Sequence, residues 1–406
     1  MTESPHPQRC SCYAKAMAHP NLIDSFFLIF SGAAVLATLS LYTRQPMLVA
    51  YIVLGCVIGP HGFALISDDR HLSEIAEIGI MFLLFLVGLD LQPSKLRNMV
   101  GESMLTALGT TLAFFVLGAG VMLFFDFAIT ESIVVGLALT FSSTILGLKL
   151  LPTTALHHRH IGQLVISLLL IQDLLAIIAI VVVSEFTPEL SALMQNLGAV
   201  LLALPVLGLC AFAGVRFVLL PLIRRFDAFH EYIFLIAIAW CLGLASLSHS
   251  LNLSFEIGAF TAGVSLATSP IAQYIAEHLR PLRDFFLIMF FFSVGADLNT
   301  GLIGTLWLPI LVTSVVVVVS KPLVFGALLK IQGEPTSTAK EVGARLGQGS
   351  EFALLLSYIA VGNALLGEAA AAVLQTATVL TMIINSYWVV SRYPSPIAAN
   401  PSLRRD

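Results

Sequence analysis

The chain has 406 residues, of which 58% are hydrophobic and only 11% are charged, and its formal net charge is −4. A soluble domain normally carries about 25% charged residues, so this composition excludes an ordinary soluble protein. It indicates a chain that crosses a lipid bilayer many times, and no nucleic-acid partner is expected.

Hydropathy divides the chain into thirteen apolar segments. They lie near residues 22–42, 46–62, 73–91, 103–126, 131–151, 161–184, 192–222, 230–249, 254–269, 284–297, 303–329, 342–362 and 368–391. The predicted fold is an all-α polytopic membrane protein with about thirteen transmembrane helices. We expect an N-terminal tail (1–20), a transmembrane domain (21–392) and a short cytoplasmic tail (393–406).

Lysine and arginine are distributed unevenly between alternate loops. Fifteen fall on one side of the predicted membrane and three, Arg9, Lys15 and Arg70, fall on the other. Because loops rich in positive charge stay in the cytoplasm, the C-terminus is predicted to be cytoplasmic and the N-terminus outside. The expected location is a bacterial inner membrane.

The chain also contains a weak internal repeat. Residues 85–91 resemble residues 292–298, and at the same offset of 207 the stretch 140–144 falls on 347–351. The matching segments are seven apart, and because seven is odd the two copies cross the membrane in opposite directions. This pattern predicts an inverted-topology repeat, which is typical of secondary transporters. The alternative is chance similarity between apolar segments.

Segments five and twelve are each interrupted by small or polar residues. These residues are Thr140, Ser142, Ser143 and Thr144 in one segment, and Gly347, Gln348, Gly349 and Ser350 in the other. Unwound backbone at membrane depth is tolerated where it is buried or lines a cavity, and its carbonyl and hydroxyl oxygens suit an alkali cation. We therefore predict two discontinuous helices at a midplane ion site. Helix packing through small residues is the alternative.

Segment six carries one acid, Asp173, preceded by Gln172, about 18 Å from either end of the predicted helix. A carboxylate at that depth is costly unless it is compensated, and it is a candidate functional group. Burial favours its protonated form and a bound cation favours its ionised form. Proton and cation are therefore expected to compete for Asp173. Gln172 points to another face and is expected to bond the unwound segments.

Four further charged residues lie in or beside apolar segments. Lys321 is followed by Pro322 in segment eleven, and we expect it to support the Asp173 site. Arg345 and Glu351 flank the second interruption, where an Arg345–Glu351 pair and a role in ion binding are both open. Glu256, at the start of segment nine, is either in an outward-facing vestibule or solvent-exposed.

Blocks along nearly the whole chain, from Asn21 to Arg392, match one family. They are residues 55–62, 77–91, 139–144, 172–173, 258–264, 290–295 and 347–352. The most specific combination is Gly347-Gln348-Gly349-Ser350-Glu351-Phe352 with Gln172-Asp173. With these blocks the chain resembles the membrane domain of Kef-type potassium/proton antiporters, in the second cation:proton antiporter family.

The resemblance implies the sodium/hydrogen exchanger fold, with two crossed discontinuous helices and a core subdomain interleaved in sequence with a dimerisation subdomain. It implies a homodimer in which the core moves like an elevator, with Asp173 as the ion-binding acid and Lys321 as the facing lysine. Relatives with two adjacent acids exchange unequal charge, so Gln172 in the first position implies electroneutral exchange. No cofactor is implied.

The chain departs from the family pattern in two places. No Gly-x-Gly-x-x-Gly nucleotide-binding unit follows the last segment, which puts regulation through such a domain in doubt. Glu256 stands where an apolar residue is usual. Residues 271–284 resemble the family's charged cytoplasmic loop, a candidate docking place for a regulatory domain or a separate regulatory subunit.

The leading interpretation is a secondary active transporter that exchanges a monovalent cation, K+ or Na+, for H+. The alternatives are a gated monovalent cation channel and a non-transporting membrane sensor. We expect no enzyme activity, since the sequence offers no nucleophile–base pair. His6, Cys10, Cys12 and His19 do not have zinc-site spacing, and His157, His158 and His160 are expected to form a solvated or pH-sensitive patch.

Overall fold

A computed structural model describes residues 22–66, 70–90, 93–151, 160–185, 203–226, 230–269, 271–396, 398 and 403. The predicted tail, with His6, Cys10, Cys12 and His19, lies outside these residues, as do His157 and His158. The regular structure of the described residues is helical, as expected for a chain that must satisfy its backbone hydrogen bonds inside a bilayer.

The helices are numbered here in chain order. They are α1 (Leu22–Thr43), α2 (Met47–Ile58), α3 (Arg70–Asp90), α4 (Pro93–Phe124), α5 (Ile129–Leu139), α6 (Thr144–Lys149), α7 (His160–Glu185), α8 (Ala203–Arg225), α9 (His230–Ser250), α10 (Phe255–Ala267), α11 (Ala272–Asp297), α12 (Thr300–Thr305), α13 (Trp307–Ile331), α14 (Thr336–Arg345), α15 (Glu351–Gly362) and α16 (Glu368–Arg392).

Helices α5 and α6 form one interrupted segment, α14 and α15 form another, and α12 is a short turn before α13. The described residues therefore make thirteen helical segments, which confirms the predicted number. Eight segments are long and apolar enough to cross a bilayer. Others are short, such as α2 and α10, and are packed close to their neighbours.

Helix α11 is longer than the sequence predicted. Residues 271–284 were assigned to a charged loop, but the helix begins at Ala272 and continues through Pro281 to Asp297. Ile275 and Leu279 on this polar half are buried in an apolar cluster with α3, α9 and α10. Hydropathy detects only the apolar half of such a helix, because the burial of one face does not raise the average of a charged stretch.

The two halves of the fold each contain a triplet of segments with a broken middle member. In the first triplet α4, α5 with α6, and α7 follow one another; in the second, α13, α14 with α15, and α16 do so. The end of α13 carries Lys330 and the end of α16 carries Arg392, so we call this side the basic face. Helix α7 begins on that face whereas α16 ends there, which gives the inverted repeat.

The segments pack into two groups. Helices α1–α3 and α9–α11 pack against one another and are called the panel here; α4–α7 and α13–α16 pack against one another and are called the core. Helices α2 and α11 approach so closely that a Cβ on Gly55 would clash with the Phe292 carbonyl oxygen, and one on Gly295 with that of Ile52. Such glycine contacts fix backbones together without side chains.

The contact between panel and core is mainly apolar, although the Ser254 N–H donates to Glu185 and the Ser386 hydroxyl to Gln45. Ile80 of α3 and Phe290 and Phe291 of α11 lie in one buried cluster with Ile180 of α7 and Phe352 of α15. This cluster places α7 and α15, the helices that carry the candidate site residues, directly against the panel.

Candidate ion-binding site

The first break lies between α5 and α6. Helix α5 ends at Leu139, residues 140–143 are not helical, and α6 begins at Thr144. The Ser143 hydroxyl caps α6 by accepting a hydrogen bond from the Leu146 N–H at 3.2 Å. Serine and threonine hydroxyls compete with the helical hydrogen bonds of the backbone, which explains why the helix stops at this stretch.

The second break lies between α14 and α15. Helix α14 ends at Arg345, and α15 begins at Glu351 after the N-cap Ser350, whose hydroxyl accepts from the Phe352 N–H at 3.1 Å. The Gly349 N–H donates to the Thr381 hydroxyl of α16 at 2.9 Å. The freed backbone groups of this break therefore find partners inside the protein, as membrane depth requires.

The two breaks contact each other directly. The Ser142 hydroxyl donates to the Leu346 carbonyl at 2.8 Å, and the Gln348 side-chain amide donates to the Ser143 carbonyl at 3.4 Å. The discontinuous helices thus cross at their unwound residues, as the family resemblance implied.

Asp173 of α7 lies beside this crossing with only 7% of its surface exposed. The Thr144 hydroxyl lies 2.8 Å from Asp173 Oδ1 and 3.0 Å from Oδ2. Thr144 is the first residue of α6, where backbone N–H groups have no helical acceptor and favour negative charge. A carboxylate, a hydroxyl and the start of a helix are therefore brought together at membrane depth.

Gln172 faces the first break rather than the Asp173 carboxylate. Its Oε1 accepts from the Ser142 N–H at 3.2 Å, and its Nε2 donates to the Thr140 carbonyl at 3.4 Å. The side chain therefore replaces helical hydrogen bonds that the break leaves open, and it ties α7 to that break.

Lys321 of α13 joins the two breaks. Its Nζ donates to the Phe141 carbonyl and, at 3.0 Å, to the Gln348 carbonyl, and it lies 3.4 Å from the Ser142 hydroxyl. The side chain is fully buried. Both carbonyls follow the ends of helices, α5 and α14, where partial negative charge accumulates, so the ammonium group compensates two helix ends at once.

Glu351 occupies the opposite electrostatic position. It opens α15, is 4% exposed, and its Oε1 accepts from the Ile145 N–H of α6 at 3.3 Å. Its carboxylate therefore lies where α6 and α15 both begin. Lys321 lies at helix ends, which carry partial negative charge, and Glu351 lies at helix starts, which carry partial positive charge. Together they compensate the partial charges of the helix termini at the crossing.

Arg345 and Glu256 lie away from Asp173. Arg345 is buried and pairs with Glu341 at 2.8 Å instead of Glu351, while it also donates to the Leu150 and Pro394 carbonyls. It joins the last turn of α14 to the residues that follow the ends of α6 and α16. Glu256 opens α10 in the panel and is coupled electrostatically to Glu185, which is about 18 Å along α7 from Asp173.

A polar stripe on α16 was missed by the sequence analysis. Its buried members are Gln375, Thr378, Thr381 and Asn385. Thr381 and Asn385 contact the second break, and Gln375 donates to the Ser357 hydroxyl of α15 at 3.1 Å. The signal was present, because these residues recur every three or four positions and so share one helix face.

Comparison with known proteins decides the family. A family model described as the transmembrane sodium/hydrogen exchanger matches residues 27–391. The chain belongs to the sodium/hydrogen exchanger family. The exchanger is also similar in fold to the sodium proton antiporter MjNhaP1 from Methanocaldococcus jannaschii, with a TM-score of 0.66 at 14% identity. That match covers 90% of this chain and 98% of the other.

These findings confirm the predicted family and fold, and they identify the exchanger as a multi-pass membrane transporter of the cation:proton antiporter class.

Proposed function

We propose that this exchanger moves one monovalent cation, K+ or Na+, in exchange for one H+, and that Asp173 binds the two in turn. The observation that carries the proposal is the buried Asp173 carboxylate against the Thr144 hydroxyl, beside two interrupted helices. An isolated carboxylate at this depth is too costly to remain ionised without a compensating positive ion. It therefore changes sides with either a proton or a cation.

The candidate cation ligands are oxygens that surround Asp173 and the first break. Besides the carboxylate, the Thr144 hydroxyl and the backbone carbonyls of the break are hard oxygen donors of the kind that alkali cations accept. Ser142, Ser143, Ser350 and Glu351 are the other proposed polar residues of the site, and they lie at the two breaks. Hydroxyl and carbonyl oxygens serve K+ and Na+ alike, so both ions remain candidates.

The neutral side chain of Gln172 supports electroneutral exchange. It is fully engaged with the Ser142 N–H and the Thr140 carbonyl, and it adds no second carboxylate that would bind a second proton. If one acid releases one proton for each cation that it binds, the exchange moves no net charge across the membrane.

The two groups of helices support movement of the core against the panel. The apolar cluster between them, with Phe290 and Phe352, has few directional bonds to break during sliding. Exposed apolar residues on α1, including Phe27 at 67% and Val35 at 68%, suit a homodimer through the panel. The proposed setting is a bacterial inner membrane with the basic face in the cytoplasm.

The test is a proteoliposome assay with a pH-sensitive dye. After a proton gradient is established, K+, Na+, Li+ or choline is added outside. We expect dequenching with K+ or Na+ and none with choline, and an unchanged rate when the membrane potential is clamped at different values.

Asp173→Asn removes the titratable group while it keeps the shape of the side chain, so exchange should disappear. Asp284→Asn is the matched control, because Asp284 is an exposed acid paired with Arg283 on α11, and this variant should exchange normally. Full activity in Asp173→Asn, or cation flux that does not respond to the proton gradient, would overturn the proposal.

A further inference from the structure

Asn385 on the polar stripe of α16 is fully buried beside the second break. Its Nδ2 donates to Gln348 Oε1, and Gln348 Nε2 in turn donates to the Ser143 carbonyl at 3.4 Å. A relay of two amides therefore leads from α16 to the residue before Thr144, whose hydroxyl contacts Asp173.

The direction of this relay is fixed by its last member. A backbone carbonyl can only accept, so Gln348 must turn its N–H towards Ser143 and its oxygen towards Asn385. The Asn385 amide must then donate to that oxygen. As a result, Gln348 Oε1 faces Asn385 and the Ser143 carbonyl faces an N–H, so the two oxygens do not converge on one cation in this arrangement.

The same arrangement leaves one acceptor unused. Among the described residues, Asn385 Oδ1 is buried and has no hydrogen-bond partner. It is directed at Gly347, where a Cβ would lie only 2.7 Å from it. A buried acceptor without a partner is costly. If both amides rotate by half a turn, Asn385 Oδ1 gains a donor in Gln348 Nε2, while the Asn385 N–H turns towards Gly347 and the Gln348 oxygen turns towards Ser143.

We propose that Asn385 is a positioning residue that controls which end of the Gln348 amide faces the crossing. In the arrangement described, Gln348 presents its N–H to Ser143. In the rotated arrangement, Gln348 Nε2 donates to Asn385 Oδ1, and both Gln348 Oε1 and the Ser143 carbonyl face the cation bound at Asp173. The pair of amides thus has one arrangement for the cation-free site and another for the cation-bound site.

This inference rests on the proposed exchange of a cation for a proton, and it concerns the apparent affinity for the cation. In Asn385→Leu, nothing holds the Gln348 oxygen towards the cation, because no group accepts from its N–H. We expect the cation concentration for half-maximal dequenching to rise about fivefold, as for the loss of one hydrogen bond. The maximal rate at saturating cation should change much less.

The matched control is Gln375→Leu. It removes a buried amide hydrogen bond between α16 and α15, the helix that follows the second break, about 15 Å along α16 from Asn385. A purely structural role for Asn385 would make the two variants alike. Asn385→Ser, which can both donate and accept, should restore part of the wild-type half-saturation, and Asn385→Met supplies a second apolar variant if leucine does not fit.

The outcomes separate this inference from the proposed function. If the wild type shows no cation-driven proton movement, the exchange itself is refuted. If the wild type exchanges but Asn385→Leu and Asn385→Met have the same half-saturation as Gln375→Leu, the proposed change between two amide arrangements is refuted and the exchange stands. If the half-saturating cation concentration rises only in the Asn385 variants, and serine partly restores it, the result supports the two amide arrangements.

Discussion

Both carboxylate oxygens of Asp173 lie within hydrogen-bonding distance of the Thr144 hydroxyl. This contact has a chemical consequence for a residue that binds two different ions. The hydroxyl can donate to the ionised carboxylate, and its oxygen can also coordinate a cation that the carboxylate holds. Thr144 is therefore a partner of Asp173 both when the carboxylate is ionised and when it holds a cation.

Thr144→Val tests this contact, because valine keeps the shape of threonine and removes the hydroxyl. A hydrogen bond to a charged group contributes about 1.5–3 kcal/mol, so the cation concentration for half-maximal exchange should rise roughly tenfold or more. Thr144→Ser keeps the hydroxyl and should stay close to the wild type. Equal half-saturation in the valine and serine variants would show that the hydroxyl has no part in binding.

Residue types and spacing were enough to find Asp173, Thr144 and the first break, because an acid and a run of hydroxyls stand out in an apolar chain. They were not enough to predict which charged side chains form ion pairs with one another. Arg345 was weighed as a partner of Glu351, but it pairs with Glu341 one turn earlier on α14. A long guanidinium group reaches several acids, and only the crossing of the helices decides between them.

At the scale of the elements, the site is built from the ends of four half-length helices. Lys321 lies at the ends of α5 and α14, and Glu351 lies at the starts of α6 and α15. The charges of the two side chains match the charges that helix termini carry. Each side chain is therefore placed to stabilise the crossing.

Lys321→Met tests whether the Lys321 side chain stabilises the crossing of the two breaks. It leaves the Phe141 and Gln348 carbonyls buried and without their donor, at a cost of about 1–3 kcal/mol for each. We expect a clear fall in the melting temperature of the detergent-solubilised protein together with loss of exchange. Lys330→Met is the matched control, since Lys330 is exposed near the end of the same helix. Equal melting temperatures for the two variants would show that Lys321 does not stabilise the crossing.

Hydropathy located the thirteen segments, and small or polar residues marked the two breaks, but two polar features at this scale were missed. The charged first half of α11 is helical because Ile275 and Leu279 bury one face. The stripe from Gln375 to Asn385 on α16 was read as ordinary membrane helix, because threonines hardly lower the average hydropathy. The helicity of the first feature is set by what the neighbouring helices present, which the average hydropathy does not reveal. The spacing of the stripe was readable in the sequence and was overlooked.

At the scale of the whole molecule, the panel and the core meet mainly through apolar side chains. The rings of Phe290 on α11 and Tyr358 on α15 pack edge to face with centroids 6.1 Å apart. If transport requires the core to move against the panel, a covalent link across this contact must stop it.

Cross-linking tests that requirement. In a background in which the five native cysteines are alanine, Phe290→Cys with Tyr358→Cys is joined by a short bifunctional thiol reagent, and exchange should stop. The control pair is Phe82→Cys with Phe286→Cys, whose rings stack 5.3 Å apart within the panel. That link should leave exchange intact. Continued exchange with the first pair fully cross-linked would show that panel and core do not move.

The inverted repeat and the interleaving of the two groups also belong to this scale. The offset of 207 residues located the repeat, because both copies keep small and polar residues where their helices break. Which helices belong to the panel could not be derived from spacing, since that division depends on close contacts such as Gly55 with Gly295.

Competition between a proton and a cation for Asp173 is most directly tested by proton release. K+ or Na+ is added to the purified exchanger in weakly buffered detergent solution with a pH indicator, below the pH at which the site is fully deprotonated. We predict release of about one proton per chain on saturation with the cation, and none from Asp173→Asn. Cation binding without proton release, or equal release from Asp173→Asn, would contradict the account.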